Sequence, residues 1–138
     1  MDITKIPFNK FIEIIESDTA DHVLELELRD CVKNHLGTFH ASAQFALAEA
    51  CSGLALQKHF PHLENSVVPM LRKSDVKFKK PAQTHIHARA RIDITEKEKF
   101  EQQLERKGRA TVIVFIEVLD QEGTVTMNGS YEWFVQKL

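Results

Sequence analysis

Between His40 and Lys58 the chain carries one charged side chain, Glu49. Leu47, Ala48, Ala50 and Cys51 flank it, so its setting is apolar. Taking a carboxylate out of water costs free energy and raises its pKa, and a raised pKa suits a general base near neutral pH. A second reading stands beside this one: Glu49 faces a solvent gap or pairs with a base such as Arg72. Ser52 and Gly53 follow within one turn. Glycine inside a helix costs roughly 1 kcal/mol against alanine, which points to close packing of a sheet or of a ligand there. Upstream, Leu36-Gly37-Thr38-Phe39-His40 leads into Ala41 and Ser42. The first-turn N–H groups of a helix starting there carry partial positive charge. They could hold the oxyanion formed when water attacks a carbonyl; simple N-capping by Thr38 or another loop residue is the alternative.

Other constellations offer less. His85 and His87 share one strand face, but no third metal ligand accompanies them, and a solvated pair accounts for both. Cys51 reads as packing, and Cys31 has no partner for a thiol mechanism. No GxSxG elbow, phosphate loop or dinucleotide fingerprint is present.

These residues must be held by regular elements. Residues 41–57, ASAQFALAEACSGLALQ, are too long for a strand and free of proline. They predict a helix, apolar on almost every face and therefore buried on most sides. At about 1.5 Å per residue it spans roughly 27 Å, enough to cross a small domain. Phe60 to Asn65 then reads as a loop begun by Pro61. Before the helix, Phe8, Phe11, Ile12 and Ile15 predict a short amphipathic helix opened near Pro7. Leu24, Leu26 and Leu28 alternate with charges over 22–29, the period of a half-buried strand. After it, Val76 and Phe78 alternate with Asp75, Lys77 and Lys79. Ile86, Ala88, Ala90, Ile92 and Ile94 alternate with polar residues in the clearest strand pattern. The charged stretch 96–108 reads as a solvated turn with some helical character. Ala110 to Val118 is a β-branched run for the sheet centre, 121–123 a hairpin turn, and Val125 to Trp133 a last strand. The order is helix, strand, long helix, four strands: an α+β domain with an antiparallel sheet on one side of a buried helix.

The bulk numbers fit one domain over 1–138, with 43% hydrophobic and 28% charged residues. A net charge of -2 lacks the basic excess of a nucleic-acid coat. Two cysteines are too few for a disulfide scaffold. No run of eighteen uncharged apolar residues or uninterrupted signal-type apolar region exists, so no membrane partner is expected and a cytoplasmic protein is.

Residues 34–49, NHLGTFHASAQFALAE, resemble the signature of hotdog-fold acyl-CoA thioesterases of the phenylacetate-pathway and 4-hydroxybenzoyl type. In that signature an Asn is followed by a Gly three on, a His-Gly-Gly, and an Asp or Glu fifteen residues after the Asn. Asn34, Gly37, His40 and Glu49 fall on those positions. Phe78-Lys79-Lys80-Pro81-Ala82 is similar to the family's aromatic-x-x-Pro-Ala strand. The chain looks closest to a thioesterase-like branch that includes the YiiD C-terminal domain. The resemblance implies a hotdog fold, about five antiparallel strands wrapped around one long central helix. It implies hydrolysis of an acyl-CoA or acyl-carrier-protein thioester, with Glu49 activating water or attacking directly and Asn34 orienting the water or carbonyl. The Ala41 N–H would be the oxyanion donor, with His40, Gly37 and Ser42 shaping the substrate site. Such proteins are homodimers, often tetramers, with the site between protomers. No cofactor is implied beyond the coenzyme A of the substrate, whose nucleotide would meet Lys77, Lys79 or Lys80; a solvated strand face is the alternative for each lysine. The acyl group would be set around Phe45, Leu54 and the facing protomer. Ala41-Ser42 replaces the family's Gly-Gly, which keeps a backbone donor but narrows the approach. That departure supports an alternative, a non-catalytic acyl-CoA or acyl-binding hotdog module. A hotdog dehydratase ranks last, because its His and carboxylate motif is not found.

Overall fold

The computed structural model describes residues 1–19 and 23–138. A 3-10 turn at Ile3–Lys5 leads into α1 (Pro7–Phe11), β1 (Ile15–Glu16) and β2 (Leu24–Leu26). Then come α2 (Ala41–His59), a 3-10 turn at Pro61–Leu63, β3 (Val67–Phe78), β4 (Ile86–Arg91), α3 (Ile94–Lys107), β5 (Arg109–Leu119) and β6 (Val125–Lys137). The six strands form one antiparallel sheet in the order β1-β2-β4-β5-β6-β3. The sheet wraps α2 in the hotdog arrangement expected from the sequence.

Alternation sets which side of each strand meets the helix. Leu24 and Leu26, Ile86 and Ala88, Val112, Val114, Ile116 and Val118, and Met127, Tyr131 and Trp133 are all buried. They close on Ala43, Leu47, Ala50, Cys51, Leu54 and Ala55 of α2, which are buried on several sides of the helix as its composition requires. Gly129 lets β3 lie close on β6: an added Cβ would stand 2.3 Å from the Asp75 carbonyl oxygen.

Several expectations are corrected. Only five residues of the N-terminal segment are helical, and Phe8, Phe11 and Ile15 are exposed while Ile12 and Ile14 are buried. The strand expected over 22–29 is helix-facing but short, and His22 lies outside the described residues. β3 begins at Val67, ahead of the alternating residues that signal it, and is mostly exposed because it is the sheet's outer strand. Ile94 does not continue β4; it is exposed and opens α3.

The stretch read as a solvated turn is α3, a four-turn helix that buries Phe100 and Leu104. Gly108 ends it in the left-handed conformation at φ 70°. α3 flanks β5 where β4 no longer pairs with it, and Glu96 Oε1 accepts the Ile113 N–H at 3.0 Å.

Candidate functional site

Glu49 is two turns into α2, half-buried, on the wall of a cavity of about 660 Å³. Burial pushes its carboxyl above the usual glutamate value, and no hydrogen bond or ion pair among the described residues offsets this. Arg72 is not its partner. The guanidinium lies 5.6 Å from the Phe134 ring centroid, on an exposed stretch of β3. The solvent-gap reading takes a specific form: the gap is a cavity with apolar walls.

The backbone around Glu49 is pinned to the sheet. Ser52 Oγ donates to the Glu49 carbonyl at 2.6 Å and accepts the Trp133 indole N–H at 2.9 Å. Tyr131 packs on Phe45 with ring centroids 5.2 Å apart and donates to the Phe45 carbonyl at 3.2 Å. Burial, then the nearby Glu49 charge, raises the Tyr131 pKa, so it remains a phenol. Cys51 is a packed thiol, pushed by burial up to about 12.

The loop before α2 is braced by one side chain. Asn34 Oδ1 accepts the N–H groups of Leu36 and Thr38 at 2.9 and 3.1 Å. Its Nδ2 donates to Thr38 Oγ1 and the Phe39 carbonyl at 2.9 and 3.2 Å. Those bonds use the amide's two donors and both acceptor sites. Gly37 takes φ 76°, and the Asn34 N–H reaches the Thr38 carbonyl at 2.8 Å to close the turn.

His40, not Thr38, caps the helix. Its Nδ1 accepts the Ser42 N–H at 2.9 Å, which places the ring proton of the neutral imidazole on Nε2. The N–H groups of Ala43 and Gln44 donate to the His40 carbonyl at 2.9 and 3.2 Å. The Ala41 N–H is the one left without an acceptor in this turn among the described residues. Ala41 and Ser42 are exposed.

The structure therefore brings Asn34, Gly37, His40, Ala41 and Ser42 together in one loop and helix start, and sets Glu49 apart from them. Eight residues separate Ala41 from Glu49, a distance of about 12 Å along a helix. Within the cavity, Glu49 meets residues the sequence did not single out: Ile3 and Ile6 of the N-terminal segment, Phe60, Phe100 and Trp133. The signal available was the Ile3–Ile6 spacing before Pro7 and the Phe100–Leu104 spacing in a charged stretch. Phe45 and Leu54 do not line it; Phe45 is covered by Tyr131, and Leu54 points into the core.

Lys77 lines a separate groove on the outer side of the sheet with Arg91 and Phe115. Lys79 and Lys80 are exposed just beyond β3, their N–H groups on the Thr126 carbonyl. His85 lies 3.4 Å from Glu25, and no group of three possible metal ligands occurs among the described residues. No helix among them is long and apolar enough to cross a membrane.

Residues 7–135 match the model of a family described as a domain of unknown function, DUF4442. No curated protein matches the sequence. Solved structures match its fold. A Pseudomonas aeruginosa protein of unknown function, described as a probable thioesterase, is 20% identical with a TM-score of 0.82, over 99% of this chain and 91% of that one. A thioesterase from Haemophilus influenzae is 16% identical with a TM-score of 0.75, over 99% and 87%. A Bacillus halodurans protein solved with CoA is 20% identical with a TM-score of 0.71, over 93% and 74%.

Proposed function

The chain belongs to the DUF4442 family, and from that premise we propose that it is an acyl-CoA thioesterase that hydrolyses its substrate by Glu49-assisted attack of water. The observation that carries this reading is a carboxylate without a protein partner, its pKa raised by burial, on the wall of an apolar cavity. A base of that kind is poised to take a proton from water near neutral pH. The thioesterase names of structures with this fold, and CoA in one of them, support the substrate class.

The second part of the machinery is the Ala41 N–H, unclaimed in a turn where its neighbours are all engaged. It would hold the oxyanion as water adds to the thioester carbon. Asn34 is a positioning residue here: with its amide filled, it holds the loop that aims Ala41, rather than touching water. His40 fixes the same turn and offers its Nε2–H outward.

A carbonyl oxygen and the water attacking its carbon lie within about 3 Å of each other, whereas the backbones of Ala41 and Glu49 stand about 12 Å apart along α2, which favours a site built from two copies. The site is then shared: Ala41 from one copy, Glu49 from another. β3 is suited to bring the copies together. It is a long outer strand with Val68, Met70 and Phe78 exposed. Lys79 and Lys80, exposed just past its end, would meet coenzyme A phosphates.

One observation favours the binding-module alternative: the cap on Ser42 leaves a single free donor at the helix start. Thiol release from a panel of acyl-CoAs separates the two. Glu49→Gln should lower turnover by about a hundredfold or more while retaining acyl-CoA binding. If wild type cleaves none of the panel, or the variant keeps its rate, the hydrolase reading is wrong.

A further inference from the structure

The cavity beside Glu49 has a shape of its own. Glu49, Gly53 and Leu56 recur at helical spacing and form one stripe along α2, and Phe60, the residue that caps the helix C-terminus, follows at its end. From Glu49 to Phe60 that stripe measures about 16 Å, roughly the length of an extended twelve-carbon chain. Its far end is closed by Phe60 and Phe100, both buried, with ring centroids 4.8 Å apart. Ile3, from the N-terminal segment, forms part of the wall.

The charge around the cavity is equally informative. Among the described residues lining it there is no lysine, arginine or histidine. Glu64 stands at the exposed rim, bonded to the Met1 amino group at 3.0 Å. Asn9 is turned to the Ile3 carbonyl at 3.0 Å. Behind the closed end, Lys97 Nζ lies 5.6 Å from the Phe60 ring centroid, outside the apolar lining.

Gly53 lies midway along the stripe. A Cβ built there would meet Trp133 at 3.6 Å and Ile3 at 3.7 Å, ordinary contact distances with no backbone in the way. The chain's own packing does not require glycine, although a mid-helix glycine costs stability. Trp133 of the sheet and Ile3 close over Gly53 at contact distance, and Gly53 lines the cavity beside them.

We infer that the acyl group is a straight aliphatic chain of medium length, on the order of ten to twelve carbons, lying along α2 between Glu49 and the Phe60–Phe100 wall. The chain runs from the thioester beside Glu49 to the Phe60–Phe100 wall, so the inference rests on the hydrolase reading for its orientation.

S-alkyl-CoA thioethers, which cannot be hydrolysed, test it by calorimetry from ethyl to hexadecyl. Affinity should rise about fourfold per methylene up to roughly ten to twelve carbons and then stop rising. Gly53→Leu, whose side chain would reach into the cavity that Gly53 lines, should flatten that rise; melting curves confirm that the variant is folded. A flat ladder in wild type overturns the inference, as does a folded Gly53→Leu with the wild-type slope. If the ladder appears but no acyl-CoA is cleaved, the hydrolase reading falls and the chain-binding inference stands.

Discussion

Glu49 weakens the fold that holds it. Its folded-state pKa lies above that of the unfolded chain because burial disfavours the charged form. Below the unfolded value both states are protonated and nothing is lost. As pH rises through the interval between the two values, the unfolded chain releases its proton first and stability falls; above the folded value the loss is complete. Glu49→Gln should therefore melt a few degrees above wild type at pH 8, with the gap closing below about pH 4. Melting curves that coincide at every pH would show that the carboxylate is not desolvated. This residue was legible in the sequence, because one charge among so many apolar neighbours is conspicuous without a structure. The absence of a partner was not, since Arg72 stacks on Phe134 through a bulge between Leu71 and Lys73 that no periodicity marks. Nor was the engagement of Asn34, which depends on the path of a loop.

At the scale of elements, α2 announced itself and α3 did not. Helix α2 is apolar throughout, so its identity needed only length and the absence of proline. In α3 the apolar stripe is narrow, and charges at Glu96, Lys97, Glu98 and Lys99 obscure it. The element forms because Phe100 and Leu104 close over the core, and Glu96 takes up an N–H that β4 leaves unpaired. Leu104→Ala should cost about 2–5 kcal/mol in denaturant unfolding, the range for a buried leucine. A loss within about 0.5 kcal/mol, as for a surface substitution, would mean that the stretch is solvated after all. The strands were read well where one face is buried, and poorly in β3, whose outer position exposes both faces and erases the alternation.

For the whole molecule the separation of Ala41 from Glu49 has a genetic consequence. Ala41→Pro removes the free N–H at the first helical position, where proline is well accommodated, and His40 already has the extended backbone that must precede it. Alone, that variant and Glu49→Gln should each be nearly inactive. If the site is shared between two copies as proposed, unfolding them together and refolding should recover about a quarter of wild-type turnover, because half the dimers would be hybrid and each hybrid would have one intact site. No recovery in a verified hybrid would place the whole site in a single chain. The N-terminal wall of the cavity belongs to this scale too. Ile3 and Ile6 reach α2 across some fifty residues of sequence, a contact that local patterning does not encode.

Trp133 is the chain's single tryptophan, and it holds α2 in place beside Glu49 while forming part of the cavity wall. The molecule thus contains its own optical gauge. An aliphatic chain sliding past the indole would replace water and alter the polarity around it, shifting the emission spectrum without any added dye.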